Sequence, residues 1–184
     1  MLKLNLGCWK RDLPGFTNVD ICDMPHIQYK HKVDKLPMFK DGSADLIYAS
    51  HVFEYFDRNK GSKVLMEWFR VLKSGGTLRI AVPDFEKIVW LYKKTEDIKK
   101  TLGMLYGKME IKTKKGKTTL YHKTAYDFMS LKSVLEDAGF INVREYDWRK
   151  RESKDYDDHS QSYYPHMDKE NGELMSLNLE ATKP

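Results

Sequence analysis

The sequence is poor in cysteine: Cys8 and Cys22 are the only two among 184 residues. Two cysteines are too few for a disulfide framework, and they lack the repeated pairing that a zinc site requires. We therefore expect two reduced thiols and no metal centre.

Long apolar runs are also missing, because no stretch approaches the roughly 20 residues that a membrane-spanning helix needs. The N-terminal residues MLKLNLGCWKRD lack the apolar core and the small-residue cleavage site of a signal peptide. The expectation is a cytoplasmic protein without a membrane partner. The oligomeric state is left open.

Neither sign of charge dominates, since 32 Lys and Arg stand against 27 Asp and Glu and give a net charge of +5. Such a mild excess permits an anionic partner without requiring one. The lysines are unevenly spread: eight lie between Lys99 and Lys123, where Glu110 is the one acidic residue. A nucleic-acid partner is therefore conceivable, but no nucleic-acid-binding motif accompanies these lysines.

The C-terminal segment, in contrast, combines histidines with aspartates: Asp155, Asp157, Asp158, His159 and His166. Their irregular spacing and the surrounding charge predict a solvated loop rather than a metal site.

Short strand patterns and helical patterns alternate along the chain. The predicted strands are 2–6, 18–21, 27–33, 44–49, 77–82, 140–148 and 174–181, and the predicted helices are 60–72, one from residue 84, 97–106 and 128–138. Residues 107–117 are predicted to be a loop. This alternation predicts an α/β fold with a mostly parallel central sheet, helices on both faces and ligand chemistry at the carboxyl ends of the strands.

Two residues at predicted strand ends suggest a nucleotide-like ligand. Gly7 follows the first strand and allows the backbone to approach a ligand closely, and Asp20 ends the second strand, where a carboxylate can accept both hydroxyl hydrogens of a ribose. A dinucleotide fingerprint would need three glycines and an acid about 20 residues further on. The shorter span here argues against a nicotinamide dehydrogenase and leaves little room for a first helix.

Six fragments together carry a resemblance to a known family. They read LNLGCW, PGFTNVD, LPMFKDGSAD, ASHVFEYF, EWFRVLKSGGTLRIAVPDF and YHKTAYDFMSLKSVLEDAGFINV. In this order they resemble the class I, Rossmann-like S-adenosylmethionine-dependent methyltransferases, in particular a small bacterial-type subfamily with LNLGCG, PGWVNVD and LPFPDGSFD. The resemblance implies a single methyltransferase domain over residues 1–184, with a final antiparallel strand.

The resemblance also implies a cofactor site for S-adenosylmethionine and its product S-adenosylhomocysteine. Gly7 and Cys8 would lie beside the methionine part, and Asp20 would hold the ribose. Residues 34–36 would flank the adenine, and Ser50 and His51 would face the sulfonium. The implied set is Asn5, Leu6, Gly7, Cys8, Trp9, Asp20, Ile21, Asp34, Lys35, Leu36, Ser50 and His51. Capping or packing roles stay open for Cys8, Asp20, Ile21, Asp34 and Leu36.

Trp9 departs from the family pattern, which has glycine at this position. A bulky side chain there could crowd the cofactor. The alternative function is therefore a catalytically impaired relative that binds a nucleotide, RNA or a protein.

Transfer of a methyl group from a sulfonium is an in-line displacement, in which the protein mainly aligns donor and acceptor. A hydroxyl or protonated nitrogen as acceptor also needs a base, and the candidates are His51, Asp84 and His122. Asp84 could instead cap a helix, and His122 could be a loop histidine.

No separate recognition domain is predicted, so the acceptor is left unidentified. A small-molecule or sugar-type acceptor is favoured over a macromolecule. A lid over the acceptor site is predicted within residues 93–126, centred on 103–122, because the segment has spaced glycines, dense lysines and little apolar material.

Overall fold

The structure is a computed structural model that describes residues 1–113 and 116–184. Within these residues seven strands form one sheet in the order β3-β2-β1-β4-β5-β11-β8. The strands are β1 Lys3–Leu6, β2 Thr17–Asp20, β3 Tyr29–Lys30, β4 Ala44–Ser50, β5 Leu72–Pro83, β8 Ile141–Glu145 and β11 Ser176–Thr182.

The pairing of the strands is parallel except around β11. Strands β1 to β5 pair in parallel, and β11 runs antiparallel to both β5 and β8. The predicted α/β fold with a mostly parallel sheet and a final antiparallel strand is confirmed. Since β1, β2 and β4 are neighbours, the turns that follow them lie together at one edge of the sheet.

Two helices cover one face of the sheet: α1 Arg58–Val71 and α4 Phe128–Asp137. Asp57 caps α1 by accepting a hydrogen bond from the Lys60 amide at 2.9 Å, and Asp127 caps α4 by accepting one from the Ser130 amide at 2.8 Å. The helices bury apolar stripes against one continuous core that contains Trp68.

The opposite face differs from the prediction of helices on both faces. Its hydrophobic cluster is formed by side chains from strands, loops and a short 3-10 turn: Leu13, Phe16, Leu46, Tyr48, Tyr146, Trp148 and Tyr163. Residues 7–16, all described, form turns rather than a helix. The connection between β1 and β2 is too short for a helix and the loops that would flank it.

Several predicted boundaries are also corrected. The third strand is limited to Tyr29–Lys30, the helix before Ser74 ends at Val71, and the strand predicted over 140–148 is shortened to Ile141–Glu145. The two remaining helices are α2 Phe85–Thr95 and α3 Lys99–Tyr106.

The predicted loop over residues 107–117 is wrong, because strands occupy much of it. Strands β6 Met109–Thr113 and β7 Gly116–Leu120 pair antiparallel as a hairpin, called the lysine hairpin below. Met109, Ile111 and Leu120 pack against Cys8, Cys22 and Ile27. Alternating apolar side chains therefore anchor the hairpin. Lys114 and Lys115, part of the predicted lid, lie outside the described residues.

A second two-stranded ribbon pairs β9 Tyr163–Tyr164 with β10 Glu173–Leu174. None of the helices in the described ranges has both the length and the apolar character needed to span a membrane.

Trp68 provides a test of how α1 is held on the sheet. Its side chain is fully buried, and its Nε1 donates a hydrogen bond to the Val33 carbonyl oxygen at 2.8 Å. We expect Trp68→Phe to lower the free energy of unfolding by about 1 to 3 kcal/mol, because a buried carbonyl loses its donor. Trp68→Ala should lower it by about 3 to 5 kcal/mol through the added cavity.

The measurement is urea denaturation followed by circular dichroism. Met66→Ala is the matched control, since Met66 lies on the same helix and is 64% exposed, and it should change stability by less than about 0.5 kcal/mol. Equal losses in the Trp68→Ala and Met66→Ala variants would contradict this account of the core.

Candidate active site

A cavity of about 280 Å³ lies at the carboxyl ends of β1, β2 and β4. Its wall includes nine predicted cofactor residues: Asn5, Gly7, Cys8, Trp9, Asp20, Ile21, Asp34, Ser50 and His51. Three predicted residues lie outside the wall. Leu6 and Leu36 are fully buried in the hydrophobic core, and Lys35 is exposed. We call this space the first cavity.

Gly7 forms the turn after β1 in a way that only glycine allows. Its φ is +69°, and a Cβ placed on it would lie 2.4 Å from Cγ2 of Val52. Its amide donates a hydrogen bond to the Val19 carbonyl oxygen at 2.9 Å. The backbone of this turn is therefore held tightly against β2, with the glycine open to the first cavity.

Asp20 is the carboxylate of the first cavity. Its Oδ2 accepts a hydrogen bond from the Trp9 amide and its Oδ1 accepts one from the Cys22 amide, each at 2.8 Å. The residue is only 6% exposed. A carboxylate has about four acceptor positions, so two remain for hydroxyl donors. Those two, with the close backbone approach at Gly7, fit the ribose of S-adenosylmethionine.

Trp9 adopts a backbone conformation that explains why glycine is usual at its position. Its φ is +46°, in the left-handed region that costs a side chain about 1 to 2 kcal/mol. The strained turn is held by the bond to Asp20 and by a hydrogen bond of 2.8 Å from His26 Nε2 to the Trp9 carbonyl oxygen. The indole is only partly buried and lines the first cavity.

Both cysteines are buried in the wall of the first cavity. Burial, together with the nearby charge of Asp20, raises the pKa of the Cys8 thiol and raises the pKa of Cys22 to about 12. They are therefore neutral thiols that contribute apolar surface.

Asp34 marks the far end of the first cavity. Its Oδ2 lies 2.6 Å from Nζ of Lys60. Burial tends to raise the pKa of Asp34, but the hydrogen bond and charge of Lys60 outweigh burial and lower it. Lys60 and Phe56 also line this end and were not predicted. No spacing in the sequence indicates that the α1 lysine reaches this loop.

A second cavity of about 390 Å³ adjoins the first. The two share wall residues Trp9, His51, Tyr55, Met109 and His159. The second cavity is further lined by His122, Met104, Gly107 and Met175. Its wall combines aromatic, sulfur-containing and imidazole side chains with the polar residues Lys108, Glu110 and Ser162.

His51 and His122 meet at the wall of the second cavity, on either side of Glu54. Nδ1 of His51 lies 3.5 Å and Nε2 of His122 lies 3.7 Å from Oε1 of Glu54. Burial lowers the pKa of both histidines, and His159 beside His51 lowers that of His51 further. Both imidazoles are therefore neutral.

Glu54 was missed by the sequence analysis. It is 1% exposed, and burial raises its pKa to about 8. It lies in a 3-10 turn, Phe53–Tyr55, directly after β4. The ASHVFEYF fragment contains it, and its position just beyond a buried strand could have indicated a residue of the site.

The third predicted base, Asp84, lines neither cavity. Its Oδ1 accepts hydrogen bonds from the amides of Glu86 at 2.9 Å and Lys87 at 3.4 Å, so it caps α2. Burial raises its pKa. The structure therefore favours the capping alternative for Asp84.

The prediction of a solvated loop around His159 is wrong. The ring of His159 lies 5.3 Å from that of His51, edge to face, and lines both cavities. Asp158 beside it is buried and accepts hydrogen bonds from Tyr48 Oη at 2.6 Å and Ser50 Oγ at 2.8 Å. His166 is exposed. In the described parts of the chain no group of three His, Cys, Asp or Glu side chains is arranged to hold a metal ion.

Comparison with known proteins agrees with this fold. A family model described as a methyltransferase domain matches residues 17–80, from β2 into β5. A search of curated proteins gives no significant match.

Solved structures share the fold at low sequence identity. An S-adenosylmethionine-dependent methyltransferase from Methanosarcina mazei is 18% identical with a TM-score of 0.55, and the alignment covers 98% of this chain and 91% of that one. One from Archaeoglobus fulgidus is 14% identical with a TM-score of 0.57, covering 98% and 85%. The 1,6-didemethyltoxoflavin-N1-methyltransferase of Burkholderia thailandensis, with bound S-adenosylhomocysteine, is 12% identical with a TM-score of 0.55, covering 99% and 70%.

The sheet order and the cavity at the strand ends are those of the class I, Rossmann-like methyltransferase fold, and the methyltransferase-domain model matches residues 17–80. S-adenosylmethionine is the cofactor of this class, as the recognition from sequence implied. Methyl transfer is thus the general activity of the chain.

Trp9 offers a direct test of the turn after β1. We expect Trp9→Gly to preserve or increase the calorimetric affinity for S-adenosylhomocysteine, because glycine removes the left-handed strain and opens the first cavity. Trp9→Ala is the matched control, since it removes the indole but keeps a Cβ at a positive φ. Loss of binding in a correctly folded Trp9→Gly protein would instead make the indole a required contact.

Proposed function

We propose that the chain transfers a methyl group from S-adenosylmethionine to a small-molecule acceptor seated in the second cavity. The observation that carries this proposal is the junction of the two cavities at Trp9, His51 and Tyr55, next to the carboxylate of Asp20. A donor in one cavity and an acceptor in the other would meet across this junction, as an in-line displacement requires.

The residues of the first cavity have distinct proposed roles toward the cofactor. Asp20 accepts the ribose hydroxyls, the Gly7 turn lies along the methionine part, and the end near Asp34 and Phe56 takes the adenine. His51 lies at the junction and Ser50 lines the first cavity beside it, on the side of the sulfonium. Bound S-adenosylmethionine supplies an activated methyl group, and the protein's part is to orient it and to exclude water.

A small, neutral and largely apolar acceptor suits the wall of the second cavity. Met104, Met175 and Tyr55 supply apolar surface, and the histidines that line it are uncharged. Methionine and aromatic side chains pack well against planar rings. The didemethyltoxoflavin acceptor of the Burkholderia thailandensis neighbour is a small molecule, which agrees with this choice.

The catalytically impaired alternative has less support from the structure. That alternative was suggested by Trp9. In the structure the Trp9 indole lines the wall at the junction, and the Trp9 amide donates a hydrogen bond to Asp20. The lysine hairpin that suggested RNA turns apolar side chains toward the first cavity. We therefore favour a catalytic role for the intact site.

The lysine hairpin is proposed to be the lid, and it covers the cofactor as well as the acceptor. Met109, Ile111 and Leu120 line the first cavity, while Met109 and Glu110 line the second. A hydrogen bond of 3.1 Å from the Asp23 amide to the Lys112 carbonyl oxygen connects it to the β2 side. Opening of the hairpin would admit ligands to both cavities.

Asp20 provides the test of cofactor binding. We expect Asp20→Ala to weaken S-adenosylhomocysteine binding by about 1 to 3 kcal/mol in calorimetry, because the ribose hydroxyls lose a charged acceptor. Asp41→Ala is the control: Asp41 is an exposed carboxylate paired with Arg70 and lies outside both cavities. Equal affinity in wild type and the Asp20→Ala variant would refute the assignment.

Hydrogen exchange tests the lid. We expect the β6 and β7 amides to exchange rapidly in the free protein and to slow on addition of S-adenosylhomocysteine, because the bound ligand would hold the apolar side of the hairpin closed. The amides of β4, a central strand, serve as the internal control. Full protection of the hairpin amides in the free protein would show that the hairpin is a fixed part of the fold and not a lid.

A further inference from the structure

Glu54 is unusual because both of its carboxyl oxygens are buried without a hydrogen-bond partner among the described residues. An unpaired carboxylate in such a place costs several kcal/mol, so its neighbours decide what it does. Two imidazoles, those of His51 and His122, lie within 4 Å of its Oε1. Their protonation pattern can be read from their hydrogen bonds.

His122 presents a bare nitrogen to Glu54. Its Nδ1 lies 3.0 Å from the Met104 carbonyl oxygen, and a carbonyl can only accept, so Nδ1 carries the hydrogen. In the neutral ring Nε2 is then the unprotonated nitrogen. This is the atom that lies 3.7 Å from Oε1 of Glu54.

His51 presents a second bare nitrogen to the same oxygen. Asn178 donates through Nδ2 to the Ser160 carbonyl oxygen at 2.8 Å, so its Oδ1 accepts the Ser176 hydroxyl hydrogen at 3.0 Å. Ser176 Oγ must then accept from Nε2 of His51, at 2.9 Å. Nδ1 of His51 is therefore unprotonated, and it lies 3.5 Å from Oε1 of Glu54.

Three acceptor atoms thus surround one point that no fixed donor occupies. Two imidazole lone pairs and a carboxylate oxygen repel one another, and a single added proton would relieve the repulsion. The other titratable groups packed nearby are Tyr55, Tyr126 and His159, and burial raises the pKa of both tyrosines. Arg11 near His51 is the charged residue on that side.

Gly107 packs directly against the His122 ring at the wall of the second cavity, where a larger residue would not fit. A Cβ at Gly107 would lie only 2.2 Å from Nε2 of His122. Gly107 and His122 both line the second cavity. An acceptor in the second cavity would therefore meet the His122 ring.

We propose that Glu54, His51 and His122 form one proton-accepting cluster, which takes the proton that a neutral hydroxyl or ring N–H group of the acceptor loses on methylation. The inference rests on the methyl transfer proposed above, and it narrows the acceptor to compounds that carry such a group. His122 is the catalytic residue that meets the acceptor, and Glu54 and His51 act through it.

The step balances as a displacement coupled to one proton transfer. The acceptor's lone pair forms the new bond to the methyl carbon while the sulfur–carbon bond breaks, and that electron pair stays on sulfur. The acceptor's proton moves to Nε2 of His122 and is then shared with Glu54. Because burial raises the pKa of Glu54 to about 8, the cluster is free to take the acceptor's proton above that pH, and methyl transfer should slow below it as Glu54 becomes protonated.

The first test is a carbon and nitrogen NMR titration of protein labelled in glutamate and histidine, with no cofactor or acceptor. We expect Cδ of Glu54 to titrate near pH 8 and the bare nitrogens of His51 and His122 to show a step at the same pH. Glu54→Gln should remove that step and leave the exposed His31 and His166 signals unchanged. Titration of Glu54 in the ordinary carboxyl range, or imidazoles without the shared step, would overturn the cluster.

If the Glu54→Gln variant does not fold, His122→Gln serves instead and should displace the Glu54 midpoint by at least half a pH unit. An unchanged midpoint would count against coupling. Because neither variant requires S-adenosylmethionine, failure here is separable from failure of the calorimetric test of the proposed function.

The second test asks whether the cavity delivers a hydroxyl to the cluster. At a pH above the Glu54 midpoint, phenol should move the Nε2 signal of His122 toward its protonated value, whereas toluene, with the same ring and no donor, should not. Equal responses to the two probes, or no response to phenol, would overturn the assignment.

Discussion

The paired hydrogen bonds to Asp20 are the constraint on which the site depends. One carboxylate accepts the amide of Trp9 from the turn after β1 and the amide of Cys22 from the turn after β2, each at 2.8 Å. These bonds connect two turns that no helix separates, since residues 7–16 consist of turns and irregular segments. They also hold Trp9 at a positive φ, which places its indole at the junction of the two cavities. The shape of both cavities follows from this arrangement.

The sheet could be predicted because its signals are local. Buried strands such as β4 are compact apolar runs, and the short span from Gly7 to Asp20 already indicated that a first helix would not fit. The cover on the opposite face could not be predicted, because it comes from loop residues such as Leu13 and Phe16 and from the distant Trp148. The sequence of the lysine hairpin predicts a loop, because its many lysines mask the alternation of the apolar residues Met109 and Ile111.

The functional site likewise contains residues that the sequence predicts and residues that it does not. Gly7 and Asp20 could be identified because strand ends in a parallel sheet meet at one edge. The pairing of Lys60 with Asp34 and the approach of His159 to His51 depend on long-range packing, which no spacing in the sequence records. Glu54 needed the structure for a different reason. Its importance comes from the hydrogen-bond donors it lacks and from two histidines 71 positions apart in sequence, His51 and His122, that meet at its side chain.

The central claim is that cofactor and acceptor meet where the two cavities join. The most direct measurement is a crystal structure of the protein with S-adenosylhomocysteine. The account predicts both ribose hydroxyls within hydrogen-bond distance of Asp20 and the sulfur at the junction near His51, facing the second cavity. A ligand bound outside the first cavity, or a sulfur that faces away from the second cavity, would contradict it.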